Sequence, residues 1–324
     1  MRKFTVFMLL TCVCLFFASC GSNSGDGDLS EVRIAYFPNI THAQGLVMKG
    51  EGMLEEKLDG INVKWIPFNA GPSEIEALFA GEVDIGYIGP VPAVNGYVQS
   101  GGDVRIIAGA SNGGSVLVAR SGLTISTAAE LDGKNVAVPQ FGNTQHLSLL
   151  SLLSANGLAP TSNGGTVNVV QSSNADIANL MDRNNIDAAL VPEPWGSILE
   201  LQHDAKLVLD YDEVDVNGVP STAVVIVRKD FLDAHEDIVA KFTEAHKEAT
   251  AYINGNDVSE MINAQIAEVT QSLIDEDVLE RSFSRLDITY EIPVSSIMDF
   301  AQTSLDEGLI SKLPGSDIID DRFI

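Results

Sequence analysis

One stretch decides the fold: residues 71–90 read GPSEIEALFAGEVDIGYIGP. Ser73–Glu76 has the Ser-x-x-Glu form of a capping box, which predicts a helix start and makes the serine a cap, not a nucleophile. Val83–Ile88 is rich in β-branched and aromatic residues and predicts a strand. Gly89 and Pro90 follow, and a proline in the first turn is preorganised for a helix. The stretch therefore predicts a helix, a strand and a second helix.

The same alternation continues on both sides of this stretch. Segments with helical periodicity, such as Ala43–Leu58, Leu147–Asn156 and Ala175–Arg183, separate short β-branched runs. The predicted strands form two series, Val32–Tyr36, Val63–Phe68, Val83–Ile88 and Val104–Ala108, then Val136–Val138, Val167–Val170, Ala188–Val191 and Lys206–Leu209. Strands that alternate with helices indicate the α/β class. The chain is therefore predicted to contain two α/β lobes.

Two apolar strands bracket the second series, Ser115–Arg120 and Ala223–Arg228, and we expect them to cross between the lobes. From Phe231 to Glu307 the chain is predicted to be almost wholly helical, with Gly308 as a C-terminal stop, and to pack on the first lobe. About 295 residues beyond the N-terminal region suit two lobes. The expected domains are a signal peptide at 1–19, a tether at 20–30, a discontinuous lobe 1 at 31–115 and 223–324, and an inserted lobe 2 at 116–222.

The N-terminal residues have the pattern of a secretory signal. Arg2 and Lys3 precede an apolar run, Phe4–Phe17, of roughly 14 residues, which is too short to span a bilayer comfortably. The run ends in Phe-Ala-Ser-Cys, which resembles a bacterial lipobox except that Phe17 stands where leucine is usual. The resemblance implies that Cys20 is lipidated and becomes the mature N-terminus. We expect an exported protein that is lipid-anchored to the outer face of the cytoplasmic membrane.

Charge and cysteine content limit the function further. Loss of the signal would leave 17 basic against 45 acidic residues, a formal charge of −28, which excludes nucleic acid as a partner. Cys20 would be the only cysteine left, so no intramolecular disulfide is possible. The small and polar residues 21–28 read as a flexible tether. Because the electrostatic field of so negative a chain repels anions, any anionic ligand must be held by local donors.

Three segments together resemble one family. Ile34–His42, Gly71–Pro90 and Pro192–Trp195 are similar to the nitrate/sulfonate/taurine type of periplasmic binding protein, a group that includes the thiamine-pyrimidine binders, and the similarity covers essentially the whole mature chain. The resemblance implies a bilobal type II, Venus-flytrap receptor that closes over one small molecule. It also implies a membrane permease and a separate ATPase subunit as partners, and no cofactor.

In open α/β sheets, ligands bind beyond the carboxyl ends of strands and near helix N-termini, where free amides can hold an oxyanion. Phe37–Asn39, Gly89–Pro90 and Gln140–His146 follow predicted strands in this way, and Ser111–Ser115 enters the first crossing strand. Ordinary turn, cap and linker chemistry is the alternative for each. The predicted ligand-binding residues are Pro38, Asn39, Thr41, Gly89, Pro90, Gly114, Ser115, Gln140, Gly142, Asn143, Thr144, His146, Glu193 and Trp195.

Individual side chains suggest different contributions to binding. Trp195 can supply a flat wall to a ligand, whereas Trp65 lies within a strand and is expected in the core. His146 can donate a hydrogen bond or a charge to an anion, with a packed or surface histidine as the alternative. The role of Glu193 stays open, because a carboxylate beside an anion is unfavourable unless it meets an ammonium group or joins a hydrogen-bond network.

An enzyme on the same bilobal fold is the main alternative function, and a ligand sensor is another. The five histidines lack paired metal spacing, and the cysteine-rich motif of thiamine-pyrimidine synthases is absent. We therefore expect no enzyme and no metal. The proposed cleft segments contain no Lys or Arg, which favours an organic sulfonate such as an alkanesulfonate or taurine over a phosphate ester. Nitrate, bicarbonate and a thiamine-pyrimidine precursor stay open as ligands.

Overall fold

The computed structural model describes residues 29–215 and 217–324. The predicted signal peptide, Cys20 and most of the tether lie outside these residues. The strands are β1 (Glu31–Tyr36), β2 (Asn62–Pro67), β3 (Ile85–Ile88), β4 (Val104–Gly113), β5 (Ser115–Ala119), β6 (Asn135–Val138), β7 (Asn168–Gln171), β8 (Ala188–Pro192), β9 (Lys206–Leu209), β10 (Ser221–Arg228) and β11 (Leu286–Ile288).

The helices are α1 (Ala43–Glu51), α2 (Met53–Lys57), α3 (Gly71–Phe79), α4 (Pro90–Ser100), α5 (Thr144–Ala155), α6 (Asn174–Asp182), α7 (Trp195–Gln202), α8 (Lys229–Ala234), α9 (Glu236–Gly255), α10 (Ser259–Thr270), α11 (Glu276–Ser284) and α12 (Val294–Asp306). A 3-10 turn covers Ile40–His42. No helix within the described ranges is both long enough and apolar enough to span a membrane.

The strands form two mixed sheets, which confirms the predicted α/β class with two lobes. The first sheet has the order β11-β4-β10-β3-β1-β2, and we call it, with the helices that flank it, lobe 1. The second has the order β7-β6-β8-β5-β9 and is the sheet of lobe 2. β1, β2 and β3 pair in parallel in lobe 1, as do β6, β7 and β8 in lobe 2. Their carboxyl ends are where the strand-end rule predicts a ligand.

Over the residues that the structure describes, the chain passes between the sheets at Gly114 and again between the end of β9 at Leu209 and the start of β10 at Ser221. The two strands predicted as crossings begin directly after these passages, and each lies in one sheet, β5 in lobe 2 and β10 in lobe 1. Gly113 and Gly114 have φ of 72° and 69°, values that favour glycine because other residues carry a Cβ. The first passage is therefore a glycine turn between two strands.

Several predicted helix boundaries were wrong. The predicted helix Ala43–Leu58 is two helices, because Gly52 adopts a left-handed conformation with φ of 65°. The capping box is not formed: α3 begins at Gly71, two residues before Ser73, after the extended residue Ala70. Glu74 lies inside this helix, fully buried, and burial raises its pKa well above the ordinary value.

The C-terminal helices were predicted to pack on lobe 1, but they pack on both lobes. The long helix α9 and α10 contact α1 in lobe 1, α11 contacts α7 in lobe 2, and α12 contacts both α4 of lobe 1 and α5 of lobe 2. The short strand β11, which the sequence analysis missed, pairs with β4. Gly308 has φ of 72°, as its predicted role as a helix stop requires.

A buried ion network also joins the lobes. Arg285, which follows α11, lies 2.7 Å from the carboxylate of Glu193 and 2.6 Å from that of Glu200, and its Nε lies 2.9 Å from Asp210. Arg285 and Glu193 have side-chain exposures of 4% and 0%. The Glu193 carboxylate also accepts hydrogen bonds from the Ser197 amide and the Ser282 hydroxyl. Because every charge here has a partner, their attraction offsets part of the free energy that burial of the charges costs.

Arg285→Ala would leave the Glu193 carboxylate buried without a counter-charge. We expect a loss of about 3–5 kcal/mol in the free energy of unfolding. The matched control is Arg281→Ala, since Arg281 pairs with Glu200 from a side chain that is 42% exposed, and a loss of at most about 1 kcal/mol is expected there. Urea unfolding followed by circular dichroism gives both values. Similar small losses in the two variants would contradict the structural role of the network.

Candidate functional site

A cavity lies where the strand ends of the two lobes meet. From lobe 1 it is lined by residues that follow β1, β2 and β3, and from lobe 2 by residues at or after the ends of β6, β7 and β8. Its volume is about 20 Å³, somewhat more than one water molecule needs. The lining residues are Phe37, Asn39, Thr41, His42, Asn69, Ala70, Gly71, Gly89, Pro92, Pro139, Asn143, Thr144, Gln145, Asn174, Pro192 and Thr222.

Four helices begin at this cavity, α3 and α4 from lobe 1 and α5 and α6 from lobe 2. The first residues of α3, α5 and α6, and Gly89 just before α4, are among its lining residues. The first amides of a helix have no intrahelical acceptor, and each N-terminus carries about half a positive charge. The cavity is therefore surrounded by four partial positive charges made by the main chain.

Two polar side chains at the cavity lack partners. Among the described residues, Thr144 Oγ1 and Asn174 Oδ1 are buried without a hydrogen bond, and the two side chains are 5% and 6% exposed. A buried polar atom without a partner costs about 1–3 kcal/mol. The amide of Asn174 can also be turned to present its NH₂ group, since oxygen and nitrogen are assigned from the hydrogen-bond network. A ligand that satisfies these groups recovers that cost.

The lobes are in close contact around these groups. A Cβ added to Gly89 in lobe 1 would collide with Thr144 Oγ1 in lobe 2. Val91, Leu147 and Phe300 form a buried apolar cluster beside this contact, with one residue each from α4, α5 and α12. Glycine at position 89 therefore permits a distance between the lobes that any other residue would prevent.

The cavity is polar but has no full charge. None of the described residues that line it is Lys, Arg, Asp or Glu. His42 lies at the cavity, but its Nδ1 accepts a hydrogen bond from the Phe37 amide at 3.0 Å. Burial lowers the pKa of His42 to about 3. The ring is therefore neutral near pH 7, with its proton on Nε2, where it can act only as a neutral donor.

The structure brings five of the predicted ligand residues to the cavity: Asn39, Thr41, Gly89, Asn143 and Thr144. Asn143 caps α5 by accepting the His146 amide, so the Thr144 and Gln145 amides keep their donor capacity. The other predicted residues do not line it: Pro38, Pro90, Gly114, Ser115, Gln140, Gly142, His146, Glu193 and Trp195.

Some residues outside the cavity support those that line it. The Ser115 hydroxyl accepts a hydrogen bond from Gln145 Nε2 at 2.9 Å and so positions a lining side chain. His146 Nδ1 accepts from the Gly142 amide at 3.0 Å, and burial lowers the pKa of His146 to about 4. The expectation that His146 supplies a charge to an anion is therefore wrong near pH 7, because the ring is neutral.

Glu193 and Trp195 were predicted to bind the ligand, but neither lines the cavity. The Glu193 carboxylate binds Arg285, Ser197 and Ser282. Of the two alternatives that the sequence allowed for Glu193, an ammonium group of the ligand or a hydrogen-bond network, the structure shows the network. Trp195 begins α7 and lines a separate, larger pocket. Trp65 is partly buried against the core of lobe 1, as expected for a strand residue.

The sequence analysis missed several lining residues, including Asn69, Ala70, Gly71, Asn174 and Thr222. The first four follow the strands β2 and β7, which were predicted approximately, so the strand-end rule applied to every strand would have found them. Thr222 lies near the start of β10 and donates its hydroxyl proton to the Gly113 carbonyl. No local sequence signal marks this residue.

The model of the NMT1-like family matches residues 25–269. The chain belongs to the NMT1-like family. Its matched region includes most of lobe 1, all of lobe 2 and every residue that lines the cavity. The cavity therefore lies within the part of the chain that the family model matches.

Two curated relatives and one solved structure are similar to this NMT1-like chain. The taurine-binding periplasmic protein of Escherichia coli K12 is 35% identical over 204 residues, which cover 62% of this chain and 61% of that protein. A putative aliphatic sulfonates-binding protein of Bacillus subtilis 168 is 26% identical, with coverages of 98% and 95%. The alkanesulfonate-binding protein SsuA of Xanthomonas axonopodis pv. citri, bound to MOPS, has a TM-score of 0.76 at 20% identity, with coverages of 91% and 100%.

These matches support two different conclusions. The structural match shows the periplasmic binding protein fold, because its sequence identity is too low to indicate more. The two curated relatives are binding proteins, not enzymes, which agrees with a cavity that is lined by amides and hydroxyls.

Proposed function

We propose that this chain is the substrate-binding component of an ABC importer, and that it captures a small organic sulfonate between its lobes for delivery to a membrane permease. The main support for a sulfonate as the ligand is the cavity, which has four helix N-termini and no cationic side chain among its described lining residues. The names of the two curated relatives, which refer to taurine and to aliphatic sulfonates, support the same ligand class.

A sulfonate suits main-chain donors for a physical reason. Its single charge is spread over three weakly basic oxygens, so several partial charges can balance it together. A phosphate ester near pH 7 carries more charge and typically requires Arg or Lys. The donors available here are the free amides at the helix starts, the Thr144 hydroxyl and the Nε2 proton of His42. Pro72 in α3 and Pro90 and Pro92 in α4 have no N–H and supply none. They come from both lobes, so binding and lobe closure stabilise each other.

The exchange Thr144→Val tests this arrangement, because valine keeps the shape of threonine and removes only the donor. A lost hydrogen bond to a charged group is worth about 1.5–3 kcal/mol, so the affinity for ethanesulfonate should fall roughly tenfold to a hundredfold. Thr161→Val, an exposed position of lobe 2, is the matched control and should bind normally. Isothermal titration calorimetry on both folded variants gives the dissociation constants.

Two results would contradict the proposal in different ways. Equal affinities in Thr144→Val and the unchanged protein would show that the sulfonate does not bind in this cavity. Saturable binding of a neutral pyrimidine or of nitrate, with no response to any sulfonate, would replace the ligand class while keeping the receptor role.

The proposed location is the outer face of the cytoplasmic membrane, with lipid on Cys20 as the anchor. The support is the short apolar run that ends in Phe-Ala-Ser-Cys and the name of the periplasmic relative. Expressed with its leader in a bacterial host, the chain should incorporate labelled palmitate, and Cys20→Ala should not. Cys12→Ala is the matched control and should be labelled normally. Equal labelling of the Cys20→Ala chain would contradict the anchor.

A further inference from the structure

A second pocket lies beside the cavity, between the two lobes. Its volume is about 280 Å³, and it lies between α6 and α7 of lobe 2 and the end of α10 with the residues that follow it. This volume approaches the range of about 300–1,000 Å³ that is typical of small-molecule sites. The cavity at the helix starts, at about 20 Å³, leaves no space for the organic part of a ligand.

The larger pocket is mainly apolar. Trp195, Ile198 and Leu199 line it from α7, and Ile266 and Leu273 line it from the opposite side. The side chain of Leu273 is 71% exposed, which is unusual for a leucine that faces a concave surface. An apolar ligand would cover part of it.

Two polar side chains at the edge of this pocket contact carboxylates outside its lining. Gln202 donates to Asp275 at 3.0 Å, and His203 lies 3.1 Å from Asp182. No Lys, Arg, Asp or Glu is among its described lining residues. A charged group on a ligand would therefore lose water in this pocket without meeting a counter-charge on a lining residue, and the carboxylates of Asp275 and Asp182 beside it already contact Gln202 and His203.

Asn174 lines both spaces, so the cavity and the pocket are neighbours. It is the first residue of α6, it is 6% exposed, and its Oδ1 has no partner in the described parts of the chain. An unpaired amide between a polar cavity and an apolar pocket suits the junction between the polar head and the apolar tail of one ligand.

We propose that this second pocket, the tail pocket, holds the organic part of a sulfonate whose headgroup occupies the cavity. The pocket selects alkyl chains of several carbons or an aryl ring, with Trp195 as its wall, and it disfavours an ammonium group such as that of taurine. The inference rests on the proposed function, because the headgroup must first bind at the helix starts.

Calorimetry with methanesulfonate, butanesulfonate, hexanesulfonate and taurine tests the tail pocket. A buried methylene contributes about 0.8 kcal/mol, so each added carbon should raise the affinity about fourfold until the pocket is full. Taurine should bind more weakly than ethanesulfonate, from which it differs by one amino group. Equal affinities along the series, or a preference for taurine, would overturn the tail pocket.

Ala178→Leu places a larger side chain on the pocket wall and removes no existing contact. Hexanesulfonate should lose at least about tenfold in affinity, the gain from roughly two methylenes, while methanesulfonate should bind normally. Ala251→Leu, an exposed position on α9, is the matched control. Trp195→Ala should also weaken hexanesulfonate more than methanesulfonate, provided that its circular dichroism spectrum is unchanged.

The outcomes separate the two proposals. Suppose that methanesulfonate binds normally, but that neither chain length nor Ala178→Leu changes the affinity. This result would overturn the tail pocket and leave the proposed function intact. No binding of any sulfonate, methanesulfonate included, would overturn both. An equal loss for long and short sulfonates in Ala178→Leu would indicate a general disturbance of lobe 2 and would also contradict the tail pocket.

Discussion

The structure depends on one constraint: the carboxyl ends of the parallel strands of both lobes point at the same space. Because α3, α4, α5 and α6 follow such strands, their N-termini meet there. The chain has a formal charge of −26, so its average field repels anions, yet the local field of four helix starts attracts them. The fold thus creates an anion site from the main chain, with no cationic side chain among the lining residues described.

Contacts between the lobes follow from the same geometry. Gly89 and Thr144 meet at the cavity, and Val91, Leu147 and Phe300 pack together beside it. Farther away, Arg285 pairs with three carboxylates of lobe 2. The carbonyl oxygen of Arg285 also packs against Gly113, in the glycine turn between the lobes, so closely that a Cβ there would lie 2.6 Å from it. The apolar contact and the ion network therefore both stabilise one closed arrangement, and a ligand that binds both lobes at the headgroup site adds to it.

The sequence was sufficient for features with local causes. Residues 83–90 predicted a strand followed by a proline-initiated helix, and Gly142–Thr144 predicted a polar helix start, because turn and cap chemistry depends on neighbouring residues. Features with distant causes could not be predicted. Glu193 pairs with Arg285, 92 positions along the chain, and Trp195 faces a pocket completed by Ile266 and Leu273 from another lobe. Asn174 could have been found, since it also follows a strand.

A crystal structure with bound methanesulfonate tests the central claim most directly. The account predicts that the sulfonate oxygens lie about 2.7–3.2 Å from the first amides of helices in both lobes and from Thr144 Oγ1. It also predicts that no Lys or Arg nitrogen lies within about 4 Å of them, the limit for an ion pair. A sulfonate held by a Lys or Arg side chain, or by one lobe alone, would contradict the claim that main-chain donors of both lobes bind the anion.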